Sequence, residues 1–196
     1  MTYDLHGTGR SRAFRVLWML EELGLDYTHH TTGPRTPEIT ALNPLGKVPV
    51  LVCEGHALTD STAILTYLAD KHGALSFPPG SLARARQDAH TQFLLDELDS
   101  LLWLVSRHTF GLPEALRVPA VKESAREEFH ISAERLAARI EGPFLMGETM
   151  TIPDIIAVHC LGWALVAKFP MERQDLKDYA KPIRAREAYK RAQAKG

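Results

Sequence analysis

The chain has 196 residues and a formal net charge of −1, with 45% apolar and 24% charged residues. That balance belongs to a folded soluble chain and excludes a disordered one, and the near-zero charge excludes a whole-molecule field drawing in nucleic acid or anionic membrane. Two cysteines, Cys53 and Cys160, lie far apart and outside any CxxC pattern, which excludes a disulfide framework and predicts a reducing, cytoplasmic setting.

The opening residues Met1-Thr2-Tyr3-Asp4 carry neither a basic nor an apolar targeting region, so no secretory leader is expected. Thr2 to His6 reads as a first strand, broken by Gly7-Thr8-Gly9. Ala13, Val16, Leu17, Leu20 and Leu23 recur at helical spacing up to Gly24. Asp26 to Thr31 predicts a second strand. Thr36-Pro37-Glu38 reads as N-cap, N1 and N2 of a short helix toward Leu42. After the turn cluster Asn43-Pro44-Leu45-Gly46, the β-rich run Val48 to Cys53 pairs through Glu54-Gly55 with His56 to Thr59 as a hairpin. Asp60-Ser61 caps a helix striped by Ile64, Leu65 and Leu68 and ended by Gly73.

Phe77-Pro78-Pro79-Gly80 reads as a linker, and beyond it the strand signal stops. Ser81 to Phe110 contains no Gly or Pro and predicts one long helix; Pro119 opens another that runs to Gly142. Thr151 and Asp154 fit a capping box, with Met150 and Ile155 placed as a hydrophobic staple. Between Asp154 and Lys168 every residue but His159 is apolar; the run is too short to span a bilayer and predicts a buried core helix. Ala185 to Ala194 predicts a last, basic helix. The expected organisation is an α/β domain over residues 1–75 and an all-helical domain over 84–196.

Three places can carry chemistry. A strand opening on Val48-Pro49 tolerates proline there, and if that bond is cis, Val48 turns its backbone N–H and C=O outward to pair with a peptide-like ligand. Asp60-Ser61 sits where free amides and the positive helix end suit a carboxylate, although plain N-capping explains the same residues. Gly7-Thr8-Gly9-Arg10-Ser11-Arg12 places hydroxyls at a helix start, either as a cap or as donors to a ligand thiolate.

In their order along the chain these motifs resemble the cytosolic glutathione transferases, and bacterial serine-type members in particular. The resemblance rests on Arg15-Val16-Leu17-Trp18-Met19-Leu20-Glu21-Glu22-Leu23-Gly24, on Asn43-Pro44-Leu45-Gly46-Lys47-Val48-Pro49-Val50-Leu51, on Asp60-Ser61-Thr62-Ala63-Ile64, and on the box from Thr151 to Asp154. It implies a thioredoxin-like N-terminal domain followed by an all-α domain. It further implies that Val48, before a cis-Pro49, pairs with the cysteinyl part of glutathione, and that Asp60 and Ser61 hold the γ-glutamyl end. Lys47 and Arg35 face the glycyl carboxylate in this reading, and Ser11 activates the thiol, with Thr8 and the Ser11 amide as alternative donors. The implied partners are glutathione as co-substrate, a small electrophile and a second copy of the chain; no metal, nucleic acid or membrane is implied.

The chemistry closes on known magnitudes. Lowering a thiol of pKa near 8.5 by about two units takes roughly 2.7 kcal/mol. A hydrogen bond to a charged group contributes about 1.5–3 kcal/mol and a helix N-terminus roughly 0.3–1 kcal/mol. The expected activity is conjugation of the glutathione thiolate to small electrophiles. Glutathione-dependent isomerisation or peroxide reduction, and a catalytically silent glutathione-binding or scaffold role, are the alternatives. Trp103, His108 and Phe110 on the long helix are candidates for the electrophile site, expected between the domains; they read equally as core.

Other signals point elsewhere. The nine histidines show no metal-ligand spacing, and His29-His30 point to opposite faces of a strand. Cys53 and Cys160 read as small core residues rather than nucleophiles. The cations of the tail (Lys181, Arg184, Arg186, Lys190, Arg191 and Lys195) read as a solvated face rather than an anion-binding patch.

Overall fold

The structure is a computed structural model and describes residues 2–196. The chain forms two compact units: one runs up to Pro79 and is completed by Pro182–Gly196, the other is Gly80–Lys181.

The first unit is built on a four-stranded sheet of order β2-β1-β3-β4, from β1 (Tyr3–His6), β2 (Tyr27–His30), β3 (Val50–Cys53) and β4 (His56–Thr59). β1 and β2 are parallel, with His6 opposite His30; β3 runs antiparallel to β1, with His6 opposite Val50, and β4 antiparallel to β3. The parallel pair needs a crossover, and α1 (Ala13–Glu22) supplies it. Ala13 through Glu21 are all buried, an all-round burial that needs cover beyond the sheet. α3 (Ser61–His72) and α9 (Glu187–Lys195) provide it. Tyr189 of α9 packs edge-on to Trp18 and Phe14, with ring centroids 4.9 and 5.4 Å away. α2 (Pro37–Leu42) is N-capped by Thr36, whose hydroxyl accepts the Ile39 amide at 3.3 Å.

The tail cations Arg186, Arg191 and Lys195 are exposed, as a solvated face requires, and each also pairs with a carboxylate of α1. Arg186 clasps Glu22 with two hydrogen bonds of 2.7 Å, and Arg191 and Lys195 each reach Glu21 at 2.6 Å. Glu21 also accepts the Tyr27 hydroxyl. Burial alone would push the Glu21 carboxyl up, but hydrogen bonds from Lys195, Tyr27 and Arg191 outweigh it and hold the pKa at about 2. These cations therefore complete the first unit, to which Pro182–Gly196 belongs, whereas chain order alone places residues 84–196 together in the helical domain.

The second unit is helical. The run expected as one helix is α4 (Leu82–Leu94) and α5 (Ser100–Ser106), each followed by a π-helical turn, Leu95–Asp99 and Arg107–Gly111. Ser100 and Thr109 turn their hydroxyls back onto the carbonyls of Asp96 and Val105, a bond that bends helices locally. α6 covers Val121–Ala137 and α7 Ile152–Val166; α8 (Gln174–Arg184) contains Pro182, where the chain passes back to the first unit. The start of α7 is buried, as its apolar run predicts. Asp154 is its anchor: Oδ2 accepts the Thr151 amide at 2.7 Å, while Oδ1 accepts the Leu145 amide and the Tyr179 hydroxyl, each at 2.8 Å. Among the described residues no helix is long and apolar enough to cross a membrane.

Candidate functional site

Three loops meet along one edge of the first unit. The β1–α1 turn begins at Gly7, with φ +142°; a Cβ there would fall 2.5 Å from the Ala13 Cβ and 3.2 Å from the Val48 Cβ. Only glycine lets the turn lie against Val48-Pro49. The Val48–Pro49 bond is cis. Among the described residues neither the N–H nor the C=O of Val48 has a hydrogen-bond partner, so both remain open to an extended ligand.

Ser11 ends the turn. Its hydroxyl donates to the Thr8 carbonyl at 2.7 Å and accepts the Ala13 amide at 3.1 Å, while the Ser11 N–H donates to the same Thr8 carbonyl at 3.0 Å. In this state Ser11 acts as a cap. The Thr8 hydroxyl has no partner among the described residues.

Asp60 caps α3: Oδ1 accepts the Thr62 and Ala63 amides at 2.8 and 3.1 Å. Its φ of +70° is a conformation non-glycine residues adopt only when their surroundings impose it, and such residues gather at ligand sites. Ser61 is buried, and the fully buried Arg15 reaches its hydroxyl at 3.5 Å. Arg15 thus places a buried cation beside the positive end of α3, where an anionic group of a ligand is stabilised twice over. The sequence signal for Arg15 is a single arginine inside the apolar run Ala13–Leu20 of α1.

Arg35 precedes α2 and Lys47 follows it in the chain, and both are exposed. The Arg35 amide donates to the Gly46 carbonyl at 2.8 Å, and the buried Asn43 side chain donates to the Lys47 carbonyl at 2.9 Å, so the two segments flanking α2 are tied together and carry both cations. Trp103, His108 and Phe110 belong to the helical unit. Trp103 is half-buried, His108 accepts the Val118 amide at 2.9 Å, and Phe110 is 68% exposed.

Residues 10–71 match the glutathione S-transferase N-terminal domain. Glutathione S-transferase GST-4.5 of Xanthomonas campestris pv. campestris is 30% identical over 66% of this chain and 65% of its own. Elongation factor 1-gamma 3 of Oryza sativa subsp. japonica is 30% identical over 80% of this chain and 39% of its own. The chain spans 32% to 65% of the length of the first curated relatives it matches. Among solved structures, a glutathione transferase from Methylococcus capsulatus superposes with a TM-score of 0.86 at 25% identity, over 99% of this chain and 98% of that one. With its four-stranded mixed sheet and its helical second unit, the chain has the glutathione transferase fold, and its residues 10–71 match that family's N-terminal domain.

Proposed function

We propose that the protein is a glutathione transferase that conjugates the glutathione thiolate to small electrophiles, with Ser11 as the thiol-activating residue. The observation that carries this reading is the Ser11 hydrogen-bond arrangement. The Thr8 carbonyl accepts both the hydroxyl and the amide of Ser11. When a thiolate arrives, the hydroxyl hydrogen can rotate toward sulfur while that carbonyl keeps the amide. The oxygen keeps the Ala13 amide throughout. Only a hydrogen moves, and a neutral bond is exchanged for a charge-assisted one about twice as strong.

The remaining groups divide the tripeptide between them. Val48 pairs by backbone with the cysteinyl unit. Ser61 and the end of α3 receive the γ-glutamyl carboxylate, and Asp60, whose Oδ2 is not used by the cap, receives its ammonium. Arg35 and Lys47 draw the glycyl carboxylate. Trp103, His108 and Phe110 contribute to electrophile binding, and the working form is a cytoplasmic homodimer.

A second reading, a silent glutathione binder, has one observation in its favour: the Ser11 hydroxyl already serves as a cap. Following thiolate absorbance of bound glutathione against pH separates the two. A transferase ionises the thiol well below its solution pKa, and Ser11→Ala reverses this. A binder leaves the thiol as in water, and absence of glutathione binding would overturn both.

A further inference from the structure

The ends of β1 and β2 bring together residues with no role in the glutathione reading. His6 and His30 are paired across the parallel strands, so their side chains share one face of the sheet. Glu38 of α2 meets them: its Oε1 lies 3.1 Å from His6 Nδ1. One donor atom from each of His6, His30 and Glu38 falls within 4.8 Å of the others. Donors around a tetrahedral ion at about 2.0–2.1 Å lie roughly 3.4 Å apart, so the His6–Glu38 edge already has the required length. The third donor needs only side-chain movement.

The geometry points to a binding site for a divalent first-row transition ion, zinc by preference, held by His6, His30 and Glu38. Two imidazoles with one carboxylate select such ions over magnesium or calcium, which take oxygen donors. The surroundings have the features a metal site needs. Asp4 Oδ1 lies 3.2 Å from His30 Nε2, an outer carboxylate that orients one imidazole and leaves its other nitrogen for the ion. His6 is buried, whereas the Glu38 side chain is 51% exposed and gives the ion a way in. The Thr32 hydroxyl, 3.4 Å from both Glu38 oxygens, steadies that carboxylate. The two imidazole rings are stacked, 4.4 Å apart and 11° from parallel, so capture turns one ring until both nitrogen lone pairs converge on the ion. Three protein donors leave a fourth position for water. The bound ion would fasten the short helix α2 to the strand ends.

None of these donors is assigned to glutathione, so the site is tested without it. The untagged full-length chain is titrated with zinc chloride by calorimetry, and with cobalt(II) while visible absorption is followed. The expected result is saturable one-to-one uptake at micromolar metal, a visible band of tetrahedral cobalt, and a higher melting temperature with zinc. His30→Gln should abolish uptake. Glu38→Gln, at an exposed position that leaves the fold intact, should weaken it at least about tenfold, and Asp4→Asn about 10- to 100-fold. No saturable uptake at micromolar metal, or uptake that Glu38→Gln and His30→Gln leave unchanged in folded protein, overturns the site.

Discussion

Glu21 and Lys195 are 174 positions apart in the chain, yet their Oε1 and Nζ atoms lie 2.6 Å apart. The Glu21 carboxylate is buried while Lys195 and Arg191 are about half exposed, so the pairing energy is partly screened. The folded pKa of about 2 lies below the ordinary 4.5. The stabilisation is therefore present in full above about pH 4.5 and is lost as pH falls toward 2. Glu21→Gln should lower stability at neutral pH by about 1–2 kcal/mol and flatten the acid limb of the stability curve. Denaturant unfolding between pH 7 and 3 measures both; an unchanged acid limb in the variant would remove Glu21 from this role.

Ser11→Ala should raise the pKa of bound glutathione and slow conjugation of a standard aryl halide about 10- to 150-fold, the equivalent of one charge-assisted hydrogen bond of about 1.5–3 kcal/mol. Glutathione affinity should change little, because the other contacts remain. If the rate survives in Ser11→Ala and falls in Thr8→Val, the donor is the Thr8 hydroxyl.

At Asp60 the cap and the charge can be separated. Asp60→Asn keeps an oxygen for the Thr62 and Ala63 amides but removes the charge. It should leave the melting temperature nearly unchanged and weaken glutathione binding several-fold. Asp60→Ala loses both functions and should also destabilise the protein by about 1 kcal/mol. Equal affinity of Asp60→Asn and the parent protein, measured by calorimetry, would reduce Asp60 to a cap.

Asp154 holds two backbone amides and the Tyr179 hydroxyl in a site it leaves fully buried. Burial pushes its carboxyl up, against the pull of those donors. Asp154→Ala strands all of them and should cost at least about 3 kcal/mol, read as a shift of the denaturation midpoint. A shift within that of an exposed control such as Glu187→Gln would contradict the anchoring role.

The elements of the α/β part were legible because each carries local punctuation: Gly7, Gly24, Thr36-Pro37, Glu54-Gly55, Asp60 and Gly73 stand at element boundaries that the structure reproduces to within about two residues. The loops of the candidate site were legible for the same reason, since Val48-Pro49 and Asp60-Ser61 are motifs of adjacent residues. What escaped were partnerships over distance. Spacing in sequence cannot place His6, His30 and Glu38 together, because only the strand register and the packing of α2 against the strand ends do so. Nor can it show that the exposed Arg186, Arg191 and Lys195 pair with buried glutamate side chains of α1. The π-helical turns were hidden too, since Ser100 and Thr109 look like ordinary helix surface until their hydroxyls turn back on the chain.

The return of the chain at Pro182 has a bearing on biogenesis. A ribosome delivers the sheet, α1 and every loop of the candidate site long before α9. Until α9 emerges, the faces of Trp18 and Phe14 that receive Tyr189 stay uncovered, and Glu21 lacks its two cations. The half that reads as a self-sufficient ligand-binding domain is thus the last to be finished, and a nascent chain must keep α1 from non-native contacts while the entire helical unit is synthesised.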